Sequence, residues 1–247
     1  MLILTKNNID WRKIIWKRKE IILLLGLYGK PGISGQDGLK LILSTDDTRK
    51  AIFNNGGIPI IITPTQDMTY FLNFEKPLSK RDMELLDTQI SICDGILMPG
   101  GYRIYYYDKY ICQKANEMNI PLLGICAGMQ VMCNYDNDNK NIKVEGHKST
   151  DLDYRHDIEI SKSSKLFSII NKEKIAVNSF HTYAVSNSGS YNVCAKANDV
   201  IEAVEKPDSL FNIGVQWHPE KLNDEPSKKL LSAFISSALE YSKTKNE

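Results

Sequence analysis

No stretch of the 247-residue chain approaches the roughly twenty consecutive apolar residues of a membrane-spanning helix. The sequence therefore reads as a soluble protein without a membrane partner. Charge of one sign is lacking too. Lys and Arg number 31 and Asp and Glu 30, leaving a net charge of +1, which gives no field to gather nucleic acid. Cysteine is scarce and odd in number: five residues with no close pairing pattern do not make a secreted disulfide framework and point to a reducing, cytoplasmic compartment. Residues 29–38 are glycine-rich but lack the spacing and the Gly-Lys-Ser/Thr ending of a phosphate-binding loop, so they read as a loop over a site. His147 and His156 flank Asp151 and Asp153, yet the spacing matches no compact ligand pattern, and no metal is expected there.

What is present suits an α/β domain. Apolar residues make up 42% and charged residues 25%, ordinary for a globular chain long enough to bury one full core. Residues 1–20 form a basic extension, with Arg12, Lys13, Lys17, Arg18 and Lys19 around Trp11 and Trp16. The apolar run behind it is too short for a secretory signal and no small-residue cleavage site follows. A solvated helix or a partner-binding arm remain as its readings. Residues 21–247 read as a single domain. Strand signals over 21–27, 58–63 and 95–98 alternate with helix signals over 46–55, 79–91 and on to about 118, which predicts a mostly parallel sheet with helices on both faces. Residues 134–143 are polar and asparagine-rich and read as an exposed loop. Beyond them come short strands over 157–161, 175–178, 183–186, 191–196, 200–205 and 212–217, then an amphipathic helix over 227–241.

The chain is organised around Pro121-Leu122-Leu123-Gly124-Ile125-Cys126-Ala127-Gly128-Met129-Gln130-Val131. An apolar strand runs into a helix with small residues on either side of one cysteine, the pattern of a nucleophile elbow. At such a turn the following helix N-terminus lowers a thiol pKa and offers free N–H groups to an oxyanion. A free cysteine is more often a buried small hydrophobe, as expected for Cys93, Cys112, Cys133 and Cys194. Cys126 differs because a base is available downstream. Gly214-Val215-Gln216-Trp217-His218-Pro219-Glu220 ends an apolar strand in a histidine, and Glu220 stands where it can orient the imidazole.

Together with Pro99-Gly100-Gly101 after an apolar strand, these motifs resemble the class I glutamine amidotransferase family. Val177-Asn178-Ser179-Phe180-His181 and Val200-Ile201-Glu202-Ala203-Val204 resemble its branch of γ-glutamyl-γ-aminobutyrate hydrolases, the C26 peptidase-like group. The resemblance runs from about Ile21 onward with the motifs in order.

The resemblance implies a flavodoxin-like fold, no cofactor, and cysteine-dependent hydrolysis of a γ-glutamyl amide. Cys126, His218 and Glu220 would be the catalytic triad and the N–H groups of Gly101 and Ala127 the oxyanion hole. Gly100, Gln130 and His181 would meet a small-molecule γ-glutamyl substrate, against the plainer reading of His181 as a structural histidine. The short segment after Gly101 and the polar stretch after the elbow helix depart from the family pattern at the rim of the pocket, so the amine released is left open, as is homo-oligomerisation. Two alternatives stay open: a glutaminase subunit delivering ammonia to a separate synthase, and a non-catalytic regulatory member. Tyr102, Tyr105, Tyr106 and Tyr107 fit either a pocket lining or plain packing.

Overall fold

The computed structural model describes residues 21–25, 27–28, 42–64, 77–101, 104–137, 140–149, 151 and 153–245. The expected extension 1–20, the loop 29–38 and Tyr102 lie outside them. In chain order the elements are β1 Ile21–Leu25, β2 Leu27–Tyr28, β3 Ile42–Leu43, α1 Asp46–Phe53, β4 Ile58–Ile62, α2 Lys80–Ser91, β5 Gly95–Met98, α3 Tyr106–Glu117, β6 Leu122–Ile125 and α4 Ala127–Asn134. They continue as β7 Asn141–Lys143, β8 His156–Ile160, α5 Lys165–Ile170, β9 Lys174–Val177, β10 Tyr183–Val185, β11 Asn192–Ala197, β12 Val200–Glu205, β13 Asn212–Val215, a 3₁₀ turn Pro219–Lys221 and α6 Glu225–Thr244.

Nine strands form one sheet in the order β4-β1-β5-β6-β13-β12-β11-β8-β9. From β4 through β13 every neighbouring pair is parallel. From β13 onward each pair is antiparallel. Period-two alternation along the central strands sorts their side chains into two cores. Ile96, Met98 and Leu122 pack with Leu86, Ile90, Ile111 and Ala115 of α2 and α3. Leu97, Leu123, Ile125, Ile213 and Val215 pack instead with Ile52, Leu166, Leu230 and Phe234 of α1, α5 and α6. A strand buried on both faces must read as a continuous apolar run, as β5 and β6 do. Helices thus cover both faces, as expected.

Caps set several helix starts. Ser79 and Asp82 form a reciprocal capping box on α2, the Asp82 N–H donating to Ser79 Oγ at 3.2 Å and the Ser79 N–H to the Asp82 carboxylate at 3.0 Å. Asp224 Oδ1 accepts the Ser227 N–H at 2.8 Å at the head of α6.

Two expectations need correction. Residues 134–143 are not simply an exposed loop: Asn134 is buried at the end of α4, and Asn141–Lys143 is a strand paired with β10. Asparagine reads as a loop residue because its amide competes with backbone bonds; here the Asn134 amide donates to Asn141 and the Asn141 amide to Gln130. The last third also holds helix α5, six residues long and capped by Ser164, which accepts the Phe167 N–H at 2.9 Å. Six residues are too few for helical periodicity to show.

Candidate active site

Cys126 stands between β6 and α4 with φ 52° and ψ −106°, a left-handed backbone that a β-carbon disfavours. Its N–H donates to the Val215 carbonyl at 2.8 Å, tying the elbow to β13, and its carbonyl accepts the first helical bond from the Gln130 N–H at 3.1 Å. The N–H groups of Ala127, Gly128 and Met129 precede that bond and have no partner within the helix ladder. The elbow must also fit closely over the sheet: a β-carbon on Gly128 would overlap the Met98 carbonyl oxygen.

His218 follows β13 by way of Gln216 and Trp217, both fully buried. The 3₁₀ turn at Pro219–Lys221 folds Glu220 back, so that its Oε1 lies 2.6 Å from His218 Nδ1. Lys221 Nζ anchors the turn to Asp47 of α1 at 2.7 Å. Burial opposes charge on the imidazole, but the Glu220 charge and the hydrogen bond with Cys126 outweigh it and raise His218 from 6.5 to about 10. Gly100 sits against both side chains. A β-carbon there would lie 2.6 Å from His218 Cε1 and 3.4 Å from Cys126 Cβ. Gly101 is exposed at the end of the same segment.

Cys93, Cys112, Cys133 and Cys194 are buried. Burial raises all four thiols, Cys133 to about 12. Tyr105 and Tyr107 are buried and stacked at 5.4 Å, so they pack, while Tyr106 is exposed.

Gln130 is buried and its amide is engaged within the protein. Nε2 donates to the Tyr183 carbonyl at 2.8 Å and to Gln216 Oε1 at 3.2 Å, and Oε1 accepts from Asn141 Nδ2 at 2.8 Å. What it holds here is the β7–β10 side of the site. His181 is also buried, with Nδ1 at 3.2 Å from the Tyr183 carbonyl and Nε2 turned toward Glu202.

Two contributors to the site had no role in the sequence reading. Asn178 brackets the His218 backbone through both ends of its amide. Phe180 sets its ring edge-on to the imidazole at 5.6 Å. Both lie in a stretch singled out for its resemblance, but a bond to a residue 40 positions away leaves no local signature.

A cysteine elbow in the parallel part of the sheet, with a histidine delivered by the neighbouring strand, defines a glutamine amidotransferase-type domain. The fold is shared with a Thermoplasma acidophilum protein described as a GMP synthase subunit, at TM-score 0.66 and 14% identity over 93% of this chain and 99% of that one. The profile of the Peptidase C26 family matches residues 105–220. A glutamine amidotransferase-like protein of Rickettsia prowazekii is 30% identical, over 77% of this chain and 87% of its own length. The γ-glutamyl-CDP-amidate hydrolase of Campylobacter jejuni is 32% identical, over 53% of this chain and 58% of its own. The chain belongs to the class I glutamine amidotransferase family, in its C26 branch.

Proposed function

We propose that this chain is a free-standing amide hydrolase of glutamine amidotransferase type that cleaves γ-glutamyl amides with Cys126, His218 and Glu220. The observation that carries the reading is the coupling of a strained elbow cysteine to an imidazole whose far nitrogen lies 2.6 Å from a carboxylate. Cys126 Sγ, as thiolate, attacks the amide carbonyl, and the N–H groups of Ala127 and Gly101 receive the oxyanion. The C–N bond breaks as the His218 imidazolium gives its proton to the leaving amine, leaving a γ-glutamyl thioester. Water then attacks, His218 takes its proton, the C–S bond breaks, and a free γ-carboxylate leaves. Glu220 keeps Nδ1 protonated and oriented throughout.

Gly100 fits as the close-approach position, since a side chain there would collide with His218. Residues 21–247 are taken as one catalytic unit, because the nine-stranded sheet runs from β4 to β9 without a break. Among the described residues no helix is long and apolar enough to cross a membrane.

A second reading is a glutaminase subunit that passes ammonia to a synthase, favoured by the fold neighbour described as a GMP synthase subunit. The purified chain should be assayed against a panel of γ-glutamyl amides, following release of amine, ammonia and γ-glutamyl acid. Turnover by the chain alone supports the free-standing hydrolase. Inertness toward the whole panel, with glutaminase activity only after a cell extract is added, replaces it with the subunit reading.

A further inference from the structure

Three of the four histidines of the chain converge on one carboxylate that the proposed reaction does not use. Glu202 lies within β12 and is 0% exposed. From its Oε1, His147 Nδ1 is 3.1 Å away, His156 Nε2 3.4 Å and His181 Nε2 3.6 Å. The rings of His147 and His156 are 4.8 Å apart, and those of His147 and His181 4.9 Å. Asp151 and Asp153, beside His147 in sequence, are not part of this group; they close a local turn in which the Asp153 N–H donates to Asp151 Oδ1 at 2.9 Å.

A fully buried carboxylate needs compensation, because removing such a charge from water costs several kcal/mol. Direct hydrogen bonds do not provide it in this arrangement. Both Glu202 oxygens and the three facing ring nitrogens lack an aligned hydrogen-bond partner, and two of the three separations exceed the roughly 2.7–3.2 Å of a normal bond. The separations from Oε1 instead approach those of donors around a cation. Ligands about 2.0–2.1 Å from a tetrahedral zinc ion stand about 3.3 Å from one another, close to the separations around Oε1. The donor atoms of His147, His181 and Glu202 all lie within 4.8 Å of one another, so a small inward turn of the imidazoles would bring the set to ligand spacing. An ionised carboxylate with imidazole nitrogens is a donor set suited to a borderline divalent ion.

We propose that His147 Nδ1, His181 Nε2 and the Glu202 carboxylate bind one divalent transition-metal ion of the zinc class, with His156 beside the remaining position. The ligands are set in place by backbone structure. The His147 carbonyl accepts the His181 N–H at 3.0 Å, the Ser149 N–H donates to the Ser179 carbonyl at 3.1 Å, and His156 pairs with Val177 at the start of β8. The ion would fasten residues 144–149, residues 178–182, β8 and β12 to one point. Residues 178–182 include Asn178 and Phe180, which both contact His218, so the ion acts on the candidate active site as a positioning device.

The test uses the full chain carrying Cys126→Ser, which removes the other place where a thiolate and an imidazole could capture zinc. After chelation and dialysis it is titrated with Zn²⁺, and separately with Co²⁺ while the visible spectrum is recorded. One equivalent of each should bind, Co²⁺ with the intense absorption of a four-coordinate site, and Zn²⁺ should raise Tm. Glu202→Gln and His181→Ala should each weaken Zn²⁺ binding by about 100-fold or more. His147→Asn, at the more accessible edge of the cluster, serves if either variant fails to fold. Failure of the Cys126→Ser protein to bind an equivalent, or undiminished binding in the His147→Asn variant, overturns the proposal.

Discussion

Asn178 holds His218 from both sides: its Oδ1 accepts the His218 N–H at 2.8 Å and its Nδ2 donates to the His218 carbonyl at 3.0 Å. The asparagine is 1% exposed, so the bracket is made away from water. His218 follows the end of β13, beyond the reach of the sheet ladder, and this amide replaces the ladder in fixing its backbone.

Asn178→Ala should therefore leave the His218 N–H unpaired, at a cost of about 1–3 kcal/mol in stability. Activity should fall by about 10²-fold, the loss typical of a small misplacement of a reacting group. Chemical denaturation and kcat/KM check the two effects separately. Unchanged kcat/KM with lowered stability would remove Asn178 from the positioning of His218.

Replacing Cys126 tests chemistry and backbone strain together. Cys126→Ala should lose about 10⁶ in kcat, as when the nucleophile of such a unit is removed. Cys126→Gly should be equally inactive yet more stable than Cys126→Ala by about 1 kcal/mol, because glycine accepts φ 52° without penalty. Thermal unfolding of the two variants side by side measures the strain.

The pH profile follows from His218. Its pKa is raised from 6.5 to about 10 in the folded state, so the stability it contributes is complete below about pH 6.5 and is lost as pH rises through about 10. The alkaline limb of kcat/KM, which reports loss of the His218 proton, should fall in that upper region. Glu220→Gln removes a charge that raises the imidazole and should move the limb to lower pH while lowering kcat. A limb that stays in place would separate Glu220 from the titration.

Gly100→Ala should act on turnover more than on folding. The new methyl would stand 2.6 Å from His218 Cε1, so the imidazole must shift, with a loss of about 10²-fold in kcat. Steady-state kinetics and Tm measured on the same preparation distinguish this from general destabilisation.

Limited alkylation at neutral pH, followed by peptide mass spectrometry, should label Cys126 first. It heads a helix beside an imidazole, whereas burial raises the other four thiols and keeps them protonated. Even labelling across the five cysteines would count against a primed nucleophile.

The central layer and the elbow were legible in the amino-acid order because their causes are local. A strand buried on both faces must be a run of apolar residues, and a turn as tight as the one at Cys126 needs small neighbours such as Gly124, Ala127 and Gly128. His218 and Glu220 could be paired from spacing alone, being two residues apart on one turn. Tertiary structure decided what depends on register between distant strands. It brought Asn178 to His218, set the Asn141 amide on Gln130 and bonded Asn134 to Asn141. It also gathered His147, His156 and His181 onto Glu202, which stands on a strand distant from all three in the chain. No local pattern encodes those meetings, because each is fixed by which strand lies beside which and at what offset.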